Sequence, residues 1–196
     1  MHRGGQLGLV LIGPPGVGKG TQAARLREEF ELAHIATGDL LRDHRAQNTA
    51  LGREASGYMS TGRLVPDELV VAMVRERIEA SPRFLLDGFP RTLEQAHALA
   101  ELLERADRDL SAAVFIDAPD EIVVERIAGR ADGRDDDDLD TVRRRLELFH
   151  RSTAPVIDYY ADLGLLHRVD ASRPIPDVYR DARVFLSGLA GATVRD

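Results

Sequence analysis

Hydrophobic residues fall into short unbroken runs, separated by longer stretches in which they recur every three or four positions. The runs Leu7–Ile12, His34–Ala36, Phe84–Asp87, Ala113–Asp117 and Leu166–Val169 read as strands. A strand buried on both faces is apolar throughout instead of alternating. Between them Thr21–Phe30, Asp67–Glu79, Thr92–Arg105, Pro119–Ala128 and Asp140–Leu163 carry helical periodicity. Strand and helix in alternation predict an α/β fold with a parallel five-stranded sheet covered on both faces. Ligands then bind at the carboxyl ends of the strands.

Two segments break the alternation. Thr37–Val65 is helical and sits between strands, closed by "STGRLVPD" with its turn-forming Gly62 and Pro66. Gly129–Asp138, "GRADGRDDDD", has no apolar periodicity and carries both signs of charge. Both are expected to be movable pieces on a rigid core, and Gly188–Asp196 is expected to fray.

Composition narrows the class. With 196 residues, 43% of them hydrophobic, the chain fits one domain with a sizeable core. It has no cysteine, which excludes disulfides and thiolate zinc sites. No apolar stretch approaches the roughly 20 residues that span a bilayer, and Met1–Gly8 lacks a signal-peptide core, so a soluble cytoplasmic protein is expected. A net charge of −7 argues against a nucleic-acid partner and favours small phosphorylated ligands.

The segment "GPPGVGKGT", Gly13–Thr21, joins the first strand to the first helix. Backbone N–H groups in such a loop can ring a polyphosphate, and the helix N-terminus adds positive potential. Gly16 and Gly18 permit the unusual dihedrals and close approach this needs. Lys19, the only lysine in the chain, would reach the β and γ phosphates. A hydroxyl at the helix start helps hold hydrated Mg²⁺; here Gly20 intervenes and Thr21 supplies it.

Asp87 ends the apolar strand "FLLDG" and can hold Mg²⁺ through water beside that loop; alone, it would equally suit an ordinary turn. Arg42, Arg91, Arg126, Arg130, Arg134 and Arg145 are candidates to neutralise charge on a transferring phosphoryl group. Phosphoryl transfer asks the protein for positioning and charge, and arginine forks provide both. The acidic run Asp135–Asp138 reads either as a solvated helix cap or as a latch that orients these arginines.

Seven ordered motifs, "GPPGVGKGTQ", "IATGDLLR", "STGRLVPDELV", "FLLDGFPRTLEQ", "ERIAGR", "RDDDDLDTVRRRL" and "STAPVIDYY", resemble the nucleoside monophosphate kinases, and among them the adenylate kinases, nearly end to end. The resemblance implies reversible transfer, Mg·ATP + AMP to 2 ADP, serving adenine nucleotide homeostasis. It also implies a P-loop NTPase-type three-layer sandwich. A single domain would comprise a core (1–36, 66–128 and 139–196), a helical AMP-binding insertion (37–65) and a short lid (129–138). Carried over by motif, Gly13, Gly16, Val17, Gly18, Lys19, Gly20 and Thr21 bind the ATP phosphates, Arg126 and Arg130 cover ATP, and the Arg173 backbone meets its adenine. On the acceptor side the resemblance names Thr37, Arg42, Arg63, Leu64, Val65, Gly88, Phe89, Pro90, Arg91 and Gln95, with Arg42 and Arg91 clamping the phosphate. Arg134 and Arg145 lie between the nucleotides, on the group in flight. The catalytic set is Lys19, Arg91, Arg126, Arg130, Arg134 and Arg145, with Thr21 and Asp87 on the metal.

Thr37 and Gln95 stand where pyrimidine-specific relatives tend to carry alanine and asparagine, so AMP is the expected acceptor. A carboxamide offers both the acceptor and the donor that adenine's edge requires. The lid lacks the long insertion of many bacterial relatives and, without cysteine, the zinc some contain. Alanine stands at Ala171, where many have glycine. A monomer is expected, with no membrane partner. Two other kinds of protein compete with the acceptor reading: a UMP/CMP-type kinase and a catalytically silent nucleotide sensor. A GTPase fails because its guanine motif needs a lysine and the one lysine is in the phosphate loop.

Overall fold

The computed structural model describes residues 6–61, 63–129 and 138–193. Its strands are β1 (Leu7–Ile12), β2 (Ala33–Ala36), β3 (Arg83–Asp87), β4 (Ala112–Asp117) and β5 (Leu166–Asp170), and each expected strand lies inside one of them. They form one sheet in the order β2-β3-β1-β4-β5, with every neighbouring pair parallel.

β1 is the middle strand, and all six of its residues are buried. Its side chains alternate between two cores. Leu9 and Leu11 pack with residues of α1 (Lys19–Glu29), α6 (Asp120–Ala128), α7 (Leu139–Leu148) and α9 (Ile175–Thr193). Val10 and Ile12 pack with α4 (Asp67–Ala80), α5 (Leu93–Arg105) and α8 (Ala154–Asp162). The unbroken apolar runs in the sequence are therefore period-two strands with a hydrophobic layer on each side. From β1 the chain goes to β2 and β3 on one side, then crosses to β4 and β5 on the other. The reversal opens a crevice at the carboxyl end of β1, where an open parallel sheet binds its ligand.

Between β2 and α4 lie α2 (Thr37–Ala46) and α3 (Ala50–Met59), the helices expected of the Thr37–Val65 segment. Thr49 caps α3, its Oγ1 accepting from Gly52 N at 3.0 Å. Of the Gly129–Asp138 segment, only its two end residues are among those described.

Two expectations change. Asp140–Leu163 is not one regular helix: a π-helical turn, Phe149–Thr153, separates α7 from α8. Pro155, at the start of α8, has no N–H to donate, and its ring crowds the carbonyl four residues back; the wider turn relieves both. At the C-terminal end, Gly188–Thr193 continue α9. Val178, Ala182 and Leu186, spaced four apart, bury one face of that helix and hold it on the sheet. Among the described residues, no helix is long and apolar enough to cross a membrane.

Candidate active site

The phosphate loop leaves β1 at Gly13 and enters α1 at Lys19. Its path depends on glycine at two places. A Cβ on Gly13 would stand 2.4 Å from the Ile116 carbonyl oxygen, and backbone cannot move aside. Gly16 has φ +82°, and a Cβ there would lie 2.3 Å from Ile127 Cγ1. Any larger residue would push the loop off the ends of β1 and β4. Val17, with 2% of its surface exposed, anchors the loop in the core.

Helix α1 starts at Gly18 with no side-chain cap and no acidic residue in its first turn. By contrast, α4 and α6 each carry two acids in that turn, and α5 has a threonine cap followed by a glutamate. The positive end of α1 is left to an external anion. Lys19 Nζ donates to the Gly13 and Pro14 carbonyls at 2.8 and 2.9 Å, which holds the ammonium over the loop. Arg126, in the last turn of α6, approaches from the other side, its Nη1 donating to Val17 O at 3.3 Å.

Asp87 stands beside this loop because β3 pairs with β1 in a register that sets it opposite Leu11. Its Oδ2 is 4.0 Å from where a Cβ of Gly20 would be and 3.6 Å from His34 Nε2. Burial works against charge on this carboxylate, but His34, Lys19 and Arg91 outweigh it and hold its pKa below the ordinary aspartate value. An ionised carboxylate beside Gly20, with Thr21 next to it exposed on the first turn of α1, offers oxygens suited to Mg²⁺. That ion takes one or two protein oxygens and completes its shell with water and phosphate. Among the described residues, no group of three or more His, Asp or Glu could cage a metal by itself.

From Lys19 an open cleft runs under α2 and α3. Of the residues expected on the acceptor side, Thr37, Arg42, Arg63, Leu64, Val65, Gly88, Pro90, Arg91, Gln95 and Arg145 all line it, and Gly13 and Lys19 close its other end. Thr37 and Gln95 are both only 2% exposed. Thr37 Oγ1 donates to the Gly88 carbonyl at 3.1 Å. Arg91 Nε donates to the same carbonyl at 2.7 Å, fixing the guanidinium beside the Gly88–Arg91 turn. Arg42 pairs with Asp39 one turn earlier on α2. Arg63 donates to Thr61 Oγ1 at 3.1 Å and lies over the Tyr58 ring.

Not every expected residue lines the cleft. The Phe89 side chain is buried in the core, so its contribution can only come from its backbone. Gly16, Gly18, Gly20, Thr21 and Arg126 lie around the phosphate loop instead. Arg173 is in the turn after β5, donating to Asp181 Oδ2 at 2.6 Å and to the Asp170 carbonyl at 3.1 Å. Just past that turn, the Ile175 carbonyl at the start of α9 accepts from Gln22 on α1 at 3.3 Å. Ala171, in the same turn as Arg173, is buried. Arg130 and Arg134 lie outside the described residues.

Two residues outside the expected set hold this wall together. Thr153, in the π-helical turn, donates from Oγ1 to the Arg91 carbonyl at 3.0 Å. Asp67, at the start of α4, accepts from Thr92 Oγ1 at 2.9 Å and from Gln95 Nε2 at 2.6 Å. Both belong to motifs quoted above, "STAPVIDYY" and "STGRLVPDELV". Only the helix-starting position of Asp67 and the proline two residues after Thr153 mark either as special.

Residues 11–165 match the family described as Adenylate kinase. The chain is 44% identical over 207 aligned residues to an adenylate kinase of Streptomyces coelicolor, covering 89% of this chain and 95% of that one. It is 46% identical over 181 to one of Stenotrophomonas maltophilia (90% and 96%). It is 45% identical over 181 to one of Deinococcus radiodurans (87% and 92%).

Proposed function

Because the chain belongs to the adenylate kinase family, we propose that the cleft holds AMP against ATP in the phosphate loop, with the side chains above dividing the work. The protein is a nucleoside monophosphate phosphotransferase running ATP + AMP to 2 ADP reversibly. One observation carries the division of labour: a single cleft joins Lys19 at one end to four arginines and to a buried Thr37 and Gln95.

The loop amides, the uncapped α1 terminus and Lys19 take the β and γ phosphates of ATP, with Arg126 covering them and the Arg173 backbone against the adenine. Thr21 and Asp87 would hold Mg²⁺, which would supply positive charge to the phosphates. Arg42 and Arg91 clamp the AMP phosphate, and Arg145 lies toward the transferring group. An ionised AMP phosphate oxygen attacks the γ phosphorus, the bond to the β-phosphate oxygen breaks, and ADP leaves carrying that electron pair. No side chain needs to take a proton. The arginines hold the two oxygens in line, supplying orientation and charge.

The proposal extends to the movable parts. Thr37–Val65 closes over AMP, and Gly129–Asp138, with Arg130 and Arg134, closes over ATP, so water is excluded from the transfer. The reading includes a monomer, and a cytoplasmic location accords with the substrates. The test is phosphoryl transfer from Mg·ATP to AMP, CMP, UMP and GMP side by side, with Lys19→Ala as blank. AMP-selective ADP formation, reduced by about a thousandfold in the variant, is expected. Preferred use of CMP or UMP would overturn the acceptor assignment, and no transfer to any monophosphate would overturn the enzyme.

A further inference from the structure

We propose that Asp67 is a positioning residue that decides which purine the cleft accepts, by fixing which way the Gln95 carboxamide faces. The inference rests on the reading of the cleft as the AMP site.

A carboxamide has two hydrogens on nitrogen and two lone pairs on oxygen. In Gln95, Oε1 accepts from the Arg91 backbone N–H at 2.7 Å, and Nε2 donates to Asp67 Oδ1 at 2.6 Å. Each end has one more bond to make, so the group offers a ligand one acceptor and one donor in a set order. Adenine answers it with an amino donor beside a ring-nitrogen acceptor. Hypoxanthine presents the reverse, a carbonyl acceptor beside an N–H donor, and would be matched only by a carboxamide turned over.

Asp67 makes that turn costly. Turned, the amide nitrogen would face the Arg91 N–H, donor against donor, and the amide oxygen would face a carboxylate, acceptor against acceptor. Gln95 is 2% exposed, so water cannot repair the mismatch. The carboxylate is itself held. Its Oδ2 accepts from Thr92 Oγ1 at 2.9 Å, and that hydroxyl accepts from Gln95 N at 3.1 Å, closing a ring through the start of α5. Asp67 also occupies the first turn of α4, where the helix favours negative charge. It does not line the cleft. Its influence on a nucleobase therefore passes through Gln95.

The experiment compares wild type with Asp67→Asn and Asp67→Ala, measuring KM for AMP and Ki for IMP as a competitor in the same preparation. Asparagine keeps the shape but can present a donor, so a turned Gln95 no longer meets a forced acceptor pair; alanine removes the acceptor. The ratio of Ki for IMP to KM for AMP is expected to fall about tenfold in both variants, since a hydrogen bond to a charged group is roughly twice as strong as a neutral one. Partial unfolding changes the active fraction and kcat but not this ratio. An unchanged ratio in both variants overturns the proposal. Failure of wild type to phosphorylate AMP overturns the underlying reading instead.

Discussion

The two ends of the cleft meet charge with different materials. At the donor end the contacts come from backbone: a glycine loop pinned between β1 and β4, an uncapped helix, and one ammonium resting on two carbonyls. At the acceptor end they come from side chains held by other side chains: Arg91 on the Gly88 carbonyl, Thr153 on the Arg91 carbonyl, and Gln95 between Arg91 and Asp67. Backbone amides bind a polyphosphate whatever base it carries, whereas a buried amide in a fixed orientation reads the base. On the proposed reading, the difference puts affinity for phosphate at one end and selectivity at the other.

That division can be broken from either side. Gly16→Val attacks the backbone frame, adding a branched side chain at φ +82° and against Ile127. Misplacing the loop by about an ångström is expected to lower kcat/KM about a hundredfold or more, equally for AMP and any weaker acceptor. Steady-state kinetics with two acceptors would show it. A loss confined to AMP would mean that the loop also shapes the acceptor end.

Arg91→Ala attacks the other side. With the clamp on the acceptor phosphate gone, kcat/KM for AMP is expected to fall about a hundredfold, while ATP affinity, measured by calorimetry, stays near wild type. An equal loss of ATP affinity would erase the division.

Asp87 lies where the two ends meet, and its ionisation can be followed through stability. Its folded pKa is lowered, so the carboxylate contributes stability that is present above the unfolded value, about 3.9, and is lost as pH falls through the lower folded value. Thermal melts of wild type and Asp87→Asn should therefore differ most above about pH 4 and converge below it. A difference that widens in acid would mean that the carboxylate is protonated in the fold.

Much of this arrangement could be read in the sequence because it is local. A strand, a glycine loop, a lysine and a helix follow one another directly, and the apolar runs flanking them can only be buried strands. Asp87 stood out only beside that loop, since a carboxylate ending an apolar strand equally suits an ordinary turn. Asp67 and Thr153 did not stand out at all. Asp67 looks like an acid at a helix start, Thr153 like a polar residue ahead of a proline, and each acquires its partner from a segment 25 or more residues away. The π-helical turn was hidden for a related reason, since the apolar periodicity runs through Pro155 and only the backbone registers the missing N–H.

Thr153→Val gives the smallest expected effect and separates holding the wall in place from orienting its amide. Valine matches the shape of threonine and removes one donor, leaving the Arg91 carbonyl short of a hydrogen bond in a partly buried place. The Gln95 carboxamide keeps both its partners, Arg91 N–H and Asp67, so its order of acceptor and donor does not change. The expected result is a rise of about threefold to tenfold in KM for AMP, from a looser Arg91, with the ratio of Ki for IMP to KM for AMP the same as in wild type. If the ratio fell as far as it does on replacing Asp67, the backbone at Arg91 would be what orients the amide. Selectivity would then belong to the turn as a whole and not to the carboxylate behind it.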